Sequence, residues 1–203
     1  KKQVNSYETE FTNAPIKLKC KNYICNDMGV VKTEFNTTLM TTVDTVVCPH
    51  PILPIERLIN VDTNIEKVKI AFYKDKRWQT VIAEKNTLAS KAKILQLANT
   101  GIEVNESNAK ELIIYLSDLL TINTETIPCK KAITHLGWVE DGFVPYTSDY
   151  VYDGEDEINK KIFTRVRERG DHKIWQKTIK ELRNNNEKIH LLTVASLASP
   201  FIS

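Results

Sequence analysis

The chain has 203 residues and a mass of 23.3 kDa, with 41% hydrophobic and 27% charged residues. That composition describes one ordinary globular domain, or two small ones, and excludes disorder, collagen and coiled coil. No run approaches the roughly 18 consecutive apolar residues of a membrane span, because the longest apolar stretch, Ile189 to Ile202, is broken by His190, Thr193, Ser196, Ser199 and Pro200. The net charge of +2 hides an asymmetry. Between Ile158 and His190, ten basic residues (Lys160, Lys161, Arg165, Arg167, Arg169, Lys173, Lys177, Lys180, Arg183, Lys188) stand against Glu168, Asp171, Glu181 and Glu187. Such segregation is the electrostatic footprint of a polyanion contact, with a solvated helix face as the plainer alternative.

In chain order, residues 17 to 84 read as strand-rich. Lys17–Ile24, Val30–Phe35, Val43–Cys48 and Ile55–Val61 are β-branched or apolar runs punctuated by Asn, Asp, Gly and Pro. Val68, Ile70 and Phe72 alternate with Lys67, Lys69 and Ala71, and Lys74-Asp75-Lys76 turns the chain into Trp78–Ala83, which predicts a hairpin. Helical spacing over Leu88–Asn99 ends at Gly101, a C-terminal cap. A second helix, capped by Ser107, carries Leu112, Ile113, Leu116, Leu119 and Leu120. The loop at 121–128 is the only plausible seam in an otherwise single domain. Strands return at Ala132–Val139, Phe143–Tyr146 and Tyr150–Tyr152, followed by a helix defined by Ile158, Ile162, Phe163 and Val166 that ends at Gly170, and by helices around Ile174–Leu182 and Ile189–Phe201. The fold class is therefore mixed α+β, with an antiparallel β-rich first half and helices concentrated at 88–120 and 158–202. A final helix apolar on all faces, and a start without Met, suggest one domain cut from a longer polypeptide. With no charged-then-apolar leader, the expected compartment is the cytoplasm.

Four cysteines are too few for a disulfide framework, so reduced thiols are expected. Cys20, Cys25, Cys48 and His50 have the ligand softness for zinc. Their spacing, C-x4-C and C-x-H flanked by prolines, instead favours buried thiols on strands. Catalytic patterns fail: the six glycines never form a P-loop, and no H-E-x-x-H or G-x-S-x-G occurs. Asp153, Glu155, Asp156 and Glu157 read more simply as an acidic helix start than as a metal site, and Cys129 has no identifiable base.

On the Ile174–Leu182 helix, Lys173, Lys177 and Lys180 fall at i, i+4 and i+7. Trp138 and Trp175 read as core anchors, whereas Trp78, beside Arg77 on a lysine-flanked hairpin, is the best candidate for an exposed stacking residue. Gly137 and Gly170 read as backbone turns.

The order Gly101-Ile102, AKELIIYLSDLL, HLGWVEDGFVPY, GDHKIWQ and LLTVASLASPF resembles the domain of unknown function 927 family. Its most specific features here are Gly137-Trp138 with Phe143-Val144-Pro145, Gly170-Asp171 ahead of Trp175, and the small-residue helix at Leu191–Phe201. The segment VVCPHPILPIERLINVDT and the following KVKIAFYKDKRWQTVIAEKNTL resemble its β-rich first half. The resemblance implies a domain upstream of the ATPase core in replication helicases and primase-helicases of phages and mobile genetic islands. It would be an accessory part, without catalysis of its own, of a hexameric AAA+-type helicase. ATP and magnesium would belong to the absent ATPase domain, and no cofactor to this one. The expected partners are DNA and neighbouring subunits, without a membrane. DNA would be met by Arg165, Arg167, Arg169, Lys173, Lys177, Lys180, Arg183 and Trp78. Gly137, Trp138, Gly170, Asp171 and Trp175 would be structural. An oligomerisation or protein-partner module is the alternative.

Overall fold

The computed structural model describes residues 7–37, 40–140, 142–147, 149–154, 156–166, 170–185 and 187–198. Arg167 and Arg169, named above as DNA contacts, and Glu155 lie outside these residues. The architecture is mixed α+β with antiparallel sheets, and the chain divides into two compact units, Lys1–Lys131 and Ala132–Ser203.

In the first unit a short pair, β1 (Tyr7–Glu8) and β2 (Lys19–Cys20), leads into a three-stranded sheet. That sheet has the order β3 (Tyr23–Asn26), β4 (Gly29–Asn36), β5 (Thr41–Cys48), antiparallel throughout. A second sheet follows from β6 (Ile52–Asn60), β7 (Glu66–Lys74) and β8 (Arg77–Glu84). The predicted hairpin is β7–β8, whose two-residue turn is Asp75-Lys76 with φ of 53° and 61°. Positive φ at both central positions matches the strand twist of a type I′ turn. Burial alternates as the sequence requires: Val68, Ile70 and Phe72 are buried while Lys67 and Lys69 stay half-exposed. Ala71 is also buried.

The helical spacing at 88–99 resolves into the single turn α1 (Lys91–Ile94) between 3-10 turns at Thr87–Ala89 and Leu95–Thr100. Gly101 ends this stretch with φ 99°, where a side chain would be strained. The helix α2 (Ala109–Ile122) buries Ala109, Leu112, Tyr115, Leu116 and Leu119, one face of a 3.6-residue period. Each large member contributes about 1.5–3 kcal/mol. Its start differs from expectation. The preceding residue is Asn108, while Asn105 Oδ1 accepts from the backbone N–H and hydroxyl of Ser107, so Ser107 is held in the turn rather than capping the helix.

Polar ties fasten α2 to the strands. Asn123, 2% exposed, accepts from Lys19 N–H at 2.8 Å and donates to Lys19 O and Leu119 O, which joins β2 to the end of α2. Lys32 bridges Glu111 on α2 and Glu34 on β4, at 2.9 Å each. Tyr23 donates to Asp118 at 3.0 Å. Such groups are tolerated at the core margin because every one is paired.

The strand β9 (Cys129–Ile133) crosses the division between the units. In the second unit, β10 (Gly137–Val139) and β11 (Gly142–Val144) form a small hairpin. β12 (Tyr150–Tyr152) precedes Asp153, whose N–H donates to Ile133 O at 2.8 Å. Three helices follow: α3 (Glu157–Arg165), α4 (His172–Asn185) and α5 (Glu187–Ala198). Asp156 caps α3 by accepting from Ile158 N–H at 2.8 Å and Asn159 N–H at 3.4 Å, so this acidic residue serves as a helix start. Among the described residues no helix is long and apolar enough to cross a membrane.

Candidate nucleic-acid interface

The basic segment is built on α3 and α4. Gly170, at φ 96°, lets the backbone swing into α4, and Asp171 accepts from Lys173 N–H at 2.7 Å and Ile174 N–H at 3.1 Å. The Gly-Asp pair is thus a helix-starting device, with glycine supplying the positive φ and aspartate satisfying two orphan donors. From that start, Lys173, Lys177 and Lys180 project from one side of α4, all exposed, with Arg183 beside them. Lys177 lies 4.0 Å from Glu181. Among the described residues, Lys173, Lys180, Arg183 and Arg165 have no carboxylate in salt-bridge reach. Arg165, in the last turn of α3, borders a shallow recess lined by Ile158, Lys161, Ile162 and Val166.

The tryptophans fall differently from expectation. Trp175 is 51% exposed rather than a core anchor, because α4 packs against α5 and leaves Ile174, Trp175 and Leu182 uncovered. Its ring instead stacks with His172 one turn earlier, at 5.8 Å and 19° between planes, and His172 Nε2 meets Gln176 Nε2 at 2.8 Å. The His-x-x-Trp spacing could have revealed this stack, since residues three apart share a helix face. Trp138 is 53% exposed, again not a core anchor. It sits opposite Phe143 in the β10–β11 register, edge-to-face at 5.3 Å, and Phe143 leads on to exposed Tyr146 at 6.1 Å. A two-stranded hairpin has no second layer to cover such rings. Gly137 opens β10 and Gly142 opens β11, at φ 137° and 141°.

Trp78 is placed the other way, partly buried rather than exposed. Its indole N–H donates to Thr12 O at 3.1 Å, and its ring packs edge-to-face on Phe11 at 6.0 Å and Tyr73 at 5.6 Å. It belongs to the margin of the first unit's core and is not a free stacking surface.

The residues of the zinc alternative make other contacts in this structure. Cys20, Cys25 and Cys48 are buried on β2, β3 and β5. Cys20 Sγ donates to Tyr23 O at 3.6 Å, and Cys25 Sγ lies 3.7 Å from the Tyr115 hydroxyl. Interaction between the two neighbouring thiols lowers the pKa of Cys20 and, with burial, raises that of Cys25. Burial pushes the Cys48 thiol up to about 12. His50 Nε2 accepts from Glu103 N–H at 3.0 Å, which places the proton of the neutral ring on Nδ1, donating to Pro51 O at 3.0 Å. His50 Nε2 also lies 3.5 Å from Cys48 Sγ, the thiol two residues earlier. Among the described residues no group of three or more His, Cys, Asp or Glu is placed to hold a metal ion. Cys129 is exposed on β9.

Comparison with the curated proteins found no match. The family model described as domain of unknown function (DUF927) matches residues 23–203, nearly the whole chain, including both sheets, the β10–β11 hairpin and the Gly170-Asp171 start of α4. With that match spanning both structural units, the chain belongs to the domain of unknown function 927 family.

Proposed function

We propose that this chain is a non-catalytic accessory domain of an AAA+-type replication helicase or initiator from a phage or mobile genetic element. It contacts DNA, single-stranded and without sequence preference, through the basic face of α4 and the end of α3. The observation that carries the reading is the row Lys173, Lys177, Lys180, exposed on one face of α4, with Arg183 beside it. Lys173 and Lys180 are separated by about 10.5 Å along the helix axis. The exposed aromatic rings of Trp175 and Trp138 support a single-stranded ligand, since unstacked bases have free faces for them. ATP and magnesium would be held by the parent's ATPase, outside this domain, and neighbouring subunits of the helicase would be its protein partners.

A partner-contact role is the second reading, favoured by one observation. Ile174 and Leu182 on α4, with Leu191, Leu192 and Val194 on α5, expose apolar side chains.

Fluorescence anisotropy of labelled single-stranded and duplex DNA across a salt series, beside a K173E/K177E/K180E variant, tests the proposal. Four phosphate contacts give a slope of log K against log salt of about −2.8 for single strands. Loss of binding in the variant supports the DNA role. Absence of binding to either DNA at low salt refutes it and leaves the partner-contact reading.

A further inference from the structure

Among the described residues no strand pairs with the outer edge of β5, the last strand of the β3-β4-β5 sheet. Such an edge presents a row of backbone donors and acceptors ready for another strand, and natural proteins usually blunt it with lysine, proline or a bulge. The exposed part of β5, Thr41-Thr42-Val43-Asp44-Thr45-Val46, contains neither lysine nor proline. The bulge of the β4–β5 pair lies at Val30/Val31, outside that stretch. Its single charge, Asp44, accepts a hydrogen bond from the Thr33 hydroxyl at 2.8 Å. Glu34 and Phe35 opposite on β4 are exposed as well, so this end of the ribbon is uncovered on both faces.

We propose that this edge is a self-association surface, on which β5 of a second copy adds antiparallel about a two-fold axis through Val43. The residues select both the occupant and the register. With Val43 opposite Val43 of the second copy, Thr42 faces Asp44 and Thr41 faces Thr45. Every pair is matched: apolar with apolar, hydroxyl with hydroxyl, and a threonine donor with the only carboxylate. Cross-strand pairs of these kinds are the unit of sheet stabilisation. Centring the axis on Asp44 would oppose two carboxylates, and a shift by a single residue sets Asp44 against Val43. A two-fold interface requires the same patch to complement itself, which this stretch does. The product is a continuous six-stranded sheet built from two three-stranded ones. This inference is independent of the DNA-binding reading, since β5 and α4 belong to different units.

The test is light scattering on the 203-residue chain without DNA, across low to high micromolar concentration, for the wild type, V43K, V43E and an equimolar mixture of the two variants. The wild type is expected to rise towards twice 23.3 kDa. Each variant should stay monomeric, because like charges meet at the axis, and the mixture should regain the dimer through a Lys–Glu pair. Matching circular dichroism and melting temperature confirm that the variants fold. A monomeric wild type, a dimer that survives V43K, or a mixture that stays monomeric each overturns the proposal.

Discussion

Replacing Tyr115 with phenylalanine removes one oxygen from the place where α2 is fastened to the strands. The side chain is fully buried, its hydroxyl donates to Ile52 O at 2.9 Å, and Cys25 Sγ lies 3.7 Å away. Since the single phenolic proton is committed to Ile52 O, the Cys25 thiol is the donor in the second contact. In Y115F the Ile52 carbonyl loses this donor, and Cys25 loses its acceptor, at a site without water access. A buried polar group left without its partner costs about 1–3 kcal/mol. The thiol contact is weak, and removal of the phenol's own desolvation offsets part of the loss, so the expected destabilisation is about 2 kcal/mol. The ring keeps its edge-to-face contact with Tyr23 at 4.9 Å, so packing is retained. Y115L removes that contact too and leaves a cavity, which raises the loss to roughly 3–5 kcal/mol. Urea unfolding followed by circular dichroism measures both through the midpoint at constant slope. A Y115F change below about 0.5 kcal/mol would refute the argument, because it would mean that the bond to Ile52 contributes nothing net.

Other consequences can be checked separately. D171A removes the acceptor for the Lys173 and Ile174 N–H groups, so α4 should lose about 1 kcal/mol; hydrogen exchange at the α4 amides should rise while the α2 amides are unchanged. Burial lowers the His50 pKa below the usual 6.5, so the neutral ring is the folded form. Its stability contribution is complete above the unfolded pKa near 6.5 and is lost as pH falls below it; a melting-temperature profile should therefore decline on the acid side and flatten in H50Q. For Cys48, raised from 9.0 to about 12, the sign reverses: its contribution is present below pH 9 and is lost as pH rises towards 12, a decline that C48A should reduce. G29A places a methyl group against the Cys48 carbonyl oxygen and 2.9 Å from the Pro49 carbonyl carbon, at φ +125°. Backbone must move on both sides, so a loss of about 3 kcal/mol or more is expected in the same urea assay.

Local periodicity carried much of this fold. The β7–β8 hairpin, the Gly101 stop and the buried stripe of α2 were legible because each rests on interactions within a few residues: alternation, positive φ and helical period. The lysine row on α4 was equally legible, since helix spacing fixes which side chains share a face. The continuity of helix over 88–99 was not, and there the chain takes 3-10 turns around a single α turn.

The aromatic and thiol residues mark the boundary of such reasoning. An amphipathic pattern places Trp175 on an apolar stripe but does not say whether another element covers that stripe, and here it stays open beside His172. Trp78 sits next to charged residues in sequence, yet beside its hairpin partner Tyr73 the tertiary fold brings Phe11 and Thr12 to it from distant positions. His50 finds its hydrogen-bond donor fifty-three residues away at Glu103, which no spacing rule could supply. The sequence by itself determined the fold class, the β7–β8 hairpin and the basic face, because these depend on neighbours along the chain. Only the tertiary structure decided which tryptophans meet solvent, how the buried thiols are satisfied and which strand edge is left unpaired, because burial and pairing depend on groups that the chain brings together from far apart.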